Sequence, residues 1–184
     1  MDQQTLFWVI ARISGLASFA TLSLSLLTGL ALRTAVLDFL GPNRGLRSLH
    51  EYTALLWLPL GGLHIAGLLL DQTARIGPLD LLVPFQAPYD PRGQLAIGLG
   101  TVTLQLFLLV ALTGWLRGRL PGQLWRWLHR LSYLAFGLLF LHAVLAGTDF
   151  SDPLVSALSW SMAGTLAVLS LARMVWGRLP ARRA

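Results

Sequence analysis

The sequence predicts an all-α integral membrane protein, a bundle of about five transmembrane helices that forms a single domain over residues 1–184. Two observations predict this fold class. The chain is 55% hydrophobic and only 12% charged, which is too apolar for an ordinary soluble domain. It also contains several near-continuous apolar runs that reach the roughly 20 residues needed to cross a bilayer.

Turn-forming stretches separate these apolar runs into five predicted helices. The stretches GPNRG (Gly41–Gly45), APYDPRG (Ala87–Gly93) and RGRLPG (Arg117–Gly122) carry the glycine and proline residues that end helices. The N-terminal stretch MDQQTLFWV lacks the basic region and cleavage site of a signal peptide, so we expect the first apolar run to remain as a helix. The predicted helices are Leu6–Leu32, Leu49–Leu70, Gln94–Leu116, Leu124–Ala146 and Pro153–Val175.

The charge distribution predicts how the bundle is oriented. The net charge is +6, all the basic residues are arginines, and the connections between helices are alternately basic and acidic. Because positively charged connections stay in the cytoplasm, we expect the N-terminus outside and the C-terminus in the cytoplasm. This placement favours membrane orientation over phosphate binding, so no nucleic-acid partner is expected. The basic connections contain Arg33, Arg44 and Arg47, then Arg117, Arg119 and Arg126, with Arg130 just inside the following helix, and finally Arg178, Arg182 and Arg183.

Residue types further limit the possible chemistry. The chain has no cysteine, which excludes disulfides, thiolate metal sites, iron–sulfur ligands and a CxxCH motif for covalent haem.

The first helix carries small polar residues at spacings of three and four, a pattern that predicts close packing against another helix. These residues are Ser14, Ser18, Thr21, Ser25 and Thr28.

All four histidines lie in the second and fourth predicted helices, which run in the same direction because one helix separates them. A step of fourteen positions separates His50 from His64, and a step of thirteen separates His129 from His142. Parallel helices pair His50 with His129 near the predicted cytoplasmic side, and His64 with His142 nearer the outside. At 1.5 Å per residue, the two levels lie roughly 20 Å apart.

Two facing imidazoles at each of two depths are typical of bis-histidine haem iron. Gly61 and Gly67 lie three residues on either side of His64, so they share its face and would leave room for a porphyrin. Trp57 is seven residues from both His50 and His64, which would place it between two haems. Plain packing is the alternative for Trp57 and for both glycines.

The spacing on the fourth helix is less regular than that on the second. The step of fourteen leaves His50 and His64 about 40° apart around an ideal helix, whereas the step of thirteen leaves His129 and His142 about 140° apart. A local distortion, for example at Gly137, or haems approached from different sides would be required. A zinc or copper site is disfavoured, because no carboxylate or thiolate joins either pair at depth.

Several arginines have two interpretations. Arg44, Arg47, Arg126 and Arg130 flank the His50/His129 level, where they either orient the protein or bind haem propionates. Arg130 is the best propionate candidate of these because it follows His129 within the helix. Arg12 lies about two turns inside the first helix, where it either snorkels outward or meets a propionate of the outer haem.

The chain resembles the ferric reductase-like transmembrane domain. The resemblance rests on the paired histidines and on the stretches ARISGLASF (Ala11–Phe19), DLLVPF (Asp80–Phe85) and LHRLSYLAFGLLFLH (Leu128–His142), and it covers nearly the whole chain. That superfamily includes ferric reductases, the membrane portion of NADPH oxidases and the haem-binding subunit of a bacterial methionine sulfoxide reductase system. The resemblance implies two b-type haems, and the step of thirteen occurs in the family too. The implied ligands are His50, His64, His129 and His142.

The same resemblance implies an oxidoreductase component, multi-pass in the bacterial cytoplasmic membrane, that passes electrons to an acceptor at the outer face. The sequence has no GxGxxG fingerprint and no soluble domain, so a separate donor is expected, either a flavoprotein reductase or a membrane quinol. Flavin would therefore enter only through a partner. Ferric chelate, oxygen or a periplasmic enzyme are the possible acceptors, near the connection formed by residues 71–93.

Two other function classes remain open at this point. The chain would be a small transporter or proton pathway if the histidines formed a relay, or a non-redox membrane anchor if they served only in packing. Relays usually recruit intramembrane aspartate or glutamate, and neither lies deep in the predicted spans. The sequence therefore favours haem binding.

Overall fold

The computed structural model describes residues 2–176, except the side chains of Ala35, Val36, Asp38 and Trp176. Arg178, Arg182 and Arg183, which form the predicted basic tail, lie outside the described residues. The described part of the chain contains no strand, and its five long helices are each long and apolar enough to cross a membrane, which confirms the predicted fold class. These helices are α1 (Gln3–Ala31), α2 (Asn43–Leu70), α3 (Pro91–Trp115), α4 (Gly122–Ala146) and α5 (Pro153–Trp176).

Helix ends follow local capping chemistry more closely than hydropathy. Asp2 caps α1 by accepting the Thr5 N–H at 2.7 Å, and Asp90 caps α3 by accepting the Gly93 N–H at 2.9 Å. Helix α2 begins at Asn43, well before the predicted Leu49. Its first turns are polar, and hydropathy detects only the apolar part of a helix that continues beyond the membrane core.

The long helices form two antiparallel hairpins. Helix α1 packs against α2, and α3 packs against α4, whereas α5 makes fewer contacts, with α1 and α4. The close approach of α1 and α2 requires glycine, because a Cβ at Gly67 would lie 2.9 Å from both Cβ and N of Ala11. The two histidine-bearing helices, α2 and α4, have few close backbone contacts with each other. The space between them is therefore bordered by side chains.

Aromatic contacts join the two hairpins at the centre of the bundle. Phe19 of α1 stacks on Phe136 of α4 with ring centroids 5.9 Å apart. Trp57 of α2 packs against Phe107 of α3 at 5.7 Å. Such pairs contribute about 0.5–1.5 kcal/mol beyond the burial of their area, so they hold the hairpins in a fixed relation.

The connection between α2 and α3 lies against one end of the bundle. The Thr101 hydroxyl of α3 donates to the Asp80 carbonyl at 2.7 Å, and the ring of Phe85, a residue with φ of 65°, packs on Gly98. Leu79 and Leu82 are about two-thirds exposed (67% and 70%). An exposed apolar strip of this kind marks a surface that contacts lipid or another protein.

Candidate functional site

The structure brings the four histidines together in pairs, at two levels of the bundle. At the first level, the His50 and His129 ring centroids lie 6.3 Å apart with their planes at 82°. At the second level, His64 of α2 and His142 of α4 both donate from Nδ1 to a backbone carbonyl of the other helix in their own hairpin. Each of the four histidines is half-buried in the structure.

Three of the histidines are held in the same way by a neighbouring helix. We call this arrangement a seat: a backbone carbonyl that accepts from the imidazole Nδ1–H, followed four residues later by a glycine. The Nδ1–H of His64 donates to the Ala11 carbonyl of α1 at 2.7 Å, and a Cβ at Gly15 would lie 2.8 Å from the same nitrogen. In a helix the side chain of residue i+4 lies over the carbonyl of residue i. Glycine at that position therefore lets the imidazole reach the second lone pair of the carbonyl.

The other two seats repeat this geometry. His50 donates from Nδ1 to the Ser25 carbonyl at 2.8 Å, and its Cε1 lies 3.1 Å from the Cβ position of Gly29. The Nδ1–H of His142 donates to a carbonyl of α3, that of Ala96, at 2.8 Å; its Cε1 would lie 2.7 Å from a Cβ at Gly100. A carbonyl oxygen only accepts, so Nδ1 carries the proton in all three rings and Nε2 keeps its lone pair.

His129 has a different environment from the other three histidines. Its Nδ1 is buried without a hydrogen-bond partner among residues 2–176, and its ring stacks on Trp125 with centroids 5.1 Å apart and planes at 19°. The Arg117 guanidinium lies over the Trp125 ring, 4.5 Å from its centroid. His129 therefore has an aromatic ring stacked on its face and, among the described residues, no carbonyl acceptor at Nδ1.

The donor set fits a metal held by two axial imidazoles. Two imidazoles on opposite sides of one metal ion have centroids about 6 Å apart, because each metal–nitrogen bond is about 2 Å long. The distance between His50 and His129 matches this separation. Within residues 2–176, no group of three or more histidine, aspartate or glutamate side chains could hold a metal ion by itself. A pair of histidines suits haem, since the macrocycle supplies the remaining ligands.

The sequence allowed two interpretations of Gly61 and Gly67, room for a porphyrin or plain packing, and the structure shows what lies beside each glycine. Gly67 faces Ala11 of α1, and a Cβ at Gly61 would lie 3.7 Å from the Ser18 hydroxyl of α1. The close approach of α1 and α2 requires a small residue at Gly67, which supports the packing interpretation for that position. At Gly61 a Cβ would make only ordinary van der Waals contacts, the nearest of them with the Trp57 ring at 3.4 Å.

Trp57 lies along α2 between the two histidine levels. It is 6% exposed, and its ring packs against Phe107 and its own helix at Gly61. The polar stripe of α1 faces the same helix, since Ser25 contacts His50 and Ser18 contacts Gly61.

Helix α4 runs without interruption past Gly137, so no break in the helix reorients His129 relative to His142.

The arginines proposed for propionates have protein partners or lie exposed. Arg12 forms a bidentate ion pair with Asp149 of the α4–α5 connection. Its guanidinium also lies 4.7 Å from the centroid of the Trp8 ring. The Arg130 guanidinium lies over the Trp127 ring at 5.0 Å. Arg130 remains exposed, and so do Arg44, Arg47 and Arg126.

The glycines of α1 and α3 that accommodate histidines were not identified from the sequence, although the spacing of the two glycines on α1 could have indicated them. Gly15 and Gly29 are separated by fourteen positions, the same step that separates the two histidines they accommodate on α2. Gly100 was missed for another reason. It accommodates only one histidine, so no matching step points to it.

A comparison with known families identifies the chain's relatives. The family model described as "Ferric reductase like transmembrane component" matches residues 14–140. The match covers most of α1 to α4 and includes His50, His64 and His129, whereas His142 lies just beyond it. No curated protein and no solved structure matches the chain significantly.

Proposed function

Because the chain belongs to the ferric reductase-like transmembrane family, we propose that it is a dihaem b-type electron-transfer protein. One haem would be held between His50 and His129, and the other between His64 and His142. The observation that carries this proposal is the separation of 6.3 Å between the His50 and His129 rings, which suits two axial ligands of one iron. The three Nδ1–carbonyl hydrogen bonds support it, because they leave Nε2 free as a metal ligand.

Bound haem supplies one-electron chemistry between ferric and ferrous iron. The chain's own residues fix where and how strongly the ligands bind. The carbonyls of Ala11, Ser25 and Ala96 hold three imidazoles in one orientation and raise their basicity. Trp57 and Phe107 fill the apolar region between the levels and exclude water from it.

The two levels would form a path across the membrane, since they lie roughly 20 Å apart along α2. We place the His50/His129 level on the cytoplasmic side and the connection 71–90 at the outer face, in a bacterial cytoplasmic membrane. A separate flavoprotein reductase or membrane quinol would donate electrons to the first level. The acceptor near the second level would be ferric chelate, oxygen or a periplasmic enzyme. In this role the chain is one component of an oxidoreductase.

The visible spectrum of the purified full chain, with and without dithionite, tests this proposal. We expect two b-type haems per chain by pyridine haemochrome assay, and one after His64→Ala. Tyr52→Phe is a matched control, because Tyr52 lies on the same helix and is 62% exposed. A colourless preparation from haem-replete cells, or two haems retained in His64→Ala, would refute the proposal.

A further inference from the structure

Helix α3 offers a fourth seat that no histidine occupies. In two of the occupied seats, a hydroxyl residue directly before the glycine donates to the same carbonyl: Thr28 to Ser25 at 3.0 Å and Ser14 to Ala11 at 3.3 Å. On α3, the Thr113 hydroxyl donates to the Val110 carbonyl at 3.0 Å, directly before Gly114. A Cβ at Gly114 would meet nothing within 4 Å. The segment Val110–Gly114 therefore repeats the seat pattern and is open.

The register of α4 explains why this seat is open. Gly100 and Gly114 are separated by the same step of fourteen as Gly15 and Gly29 on α1. The histidines of α4 are separated by a step of only thirteen, so a step of fourteen back from His142 leads to Leu128. One residue corresponds to 1.5 Å along the helix and about 100° around it. The side chain of His129 is therefore rotated about the axis of α4, away from the open seat at Val110–Gly114.

Trp125 is placed to hold His129 instead. It precedes His129 by four residues, so both side chains lie on one face of α4, where their rings stack at 5.1 Å. Arg117 covers the Trp125 ring, and the Trp125 Nε1 is buried without a partner among the described residues. The contact between these rings is therefore formed by their faces and not by a hydrogen bond.

We propose that Trp125 is the positioning residue of His129, and that it replaces the helix carbonyl that orients each of the other three histidines. The inference rests on the proposed function, because the imidazole it positions is an axial ligand there. Loss of an outer partner of a metal ligand typically weakens metal binding roughly 10- to 100-fold. An imidazole without a carbonyl acceptor is also less basic, so the two haems should differ in their ligand fields.

Substitution of Trp125 tests this role in the full chain. We expect Trp125→Leu to weaken haem retention at the His50/His129 level roughly 10- to 100-fold. We also expect it to change one of the two low-spin ferric signals in the electron paramagnetic resonance spectrum and one of the two midpoint potentials. Trp125→Phe retains an aromatic face that can stack on His129. This variant should therefore behave like the parent protein in haem retention, resonance signals and midpoint potentials. Trp127→Leu is the control, since Trp127 is 61% exposed and stacks on no histidine among the described residues.

The outcomes of this experiment distinguish failure of the proposed function from failure of the positioning role. A parent protein without haem refutes the proposed function. A parent with two haems in which Trp125→Leu behaves like Trp127→Leu refutes only the positioning role. The positioning role is also refuted if Trp125→Phe shows the same loss as Trp125→Leu, because an aromatic face at this position would then make no difference.

A shift of register gives a second test. The double variant Leu128→His/His129→Leu restores the step of fourteen and directs the imidazole to Val110–Gly114. We expect this variant to keep two haems and to tolerate Trp125→Leu. Gly114→Leu should be harmless in the parent but should remove one haem from the double variant, because the added side chain covers the seat. Loss of one haem in the double variant itself would overturn the register argument.

Discussion

His64 of α2 and Ala11 of α1 are joined by a hydrogen bond of 2.7 Å from the imidazole Nδ1 to the backbone carbonyl. The acceptor belongs to the backbone of a helix, which is rigid and cannot be removed by substitution of its side chain. Gly15 keeps the approach open. The orientation of the His64 imidazole is therefore set by how α1 packs on α2.

The first prediction concerns the seat of His142. Gly100→Ala places a Cβ 2.7 Å from the imidazole Cε1, so the ring must move away from the Ala96 carbonyl. We expect haem affinity at the His64/His142 level to fall roughly 10- to 100-fold. Haem per chain and the reduced spectrum measure the loss. Gly114→Ala on the same helix is the control, and the idea fails if the two variants bind haem equally well.

The second prediction separates helix packing from haem binding. Gly67→Ala should destabilise the α1–α2 hairpin by about 1–3 kcal/mol, because the added methyl group overlaps Ala11 at 2.9 Å. Thermal unfolding in detergent measures the effect. Gly62→Ala lies on the same helix, meets nothing within 4 Å, and should leave stability unchanged. Equal melting temperatures for both variants would contradict the packing role of Gly67.

The third prediction distinguishes the two interpretations of Arg12. If Arg12 serves the ion pair with Asp149, the variants Arg12→Gln, Asp149→Asn and the double variant should lose the same amount of thermal stability. The midpoint potentials of both haems should stay unchanged in all three. A shift of one potential in Arg12→Gln but not in Asp149→Asn would instead indicate a propionate contact.

The fourth prediction concerns orientation in the membrane. The chain has no cysteine, so single cysteines can be introduced at exposed positions and labelled without background. We expect Gln86→Cys to react with a membrane-impermeant thiol reagent on intact cells without the outer membrane. Gly118→Cys should react only after permeabilisation, because its connection is basic. The reverse pattern would show that the N-terminus is cytoplasmic.

The spans could be predicted because runs of roughly 20 apolar residues mark them. The closeness of His50 and His129 could be predicted because two helices separated by one other run in the same direction. The rotation of each helix about its axis is not determined by those signals. The spacing left Gly67 with two interpretations because a position three residues from His64 can turn towards either neighbour, and the contact with Ala11 favours packing. The role of Trp125 was missed because stacking on His129 depends on side-chain rotamers.

The two seats on α1 have a mechanical consequence. Gly15 accommodates His64 and Gly29 accommodates His50, so one rigid helix contacts a histidine at each level of the bundle. If α1 slid along α2 by a single residue, about 1.5 Å, both carbonyls would leave their imidazoles together. A force applied to α1 alone, by a bound protein or by a change in bilayer thickness, would therefore alter both proposed haem sites at once.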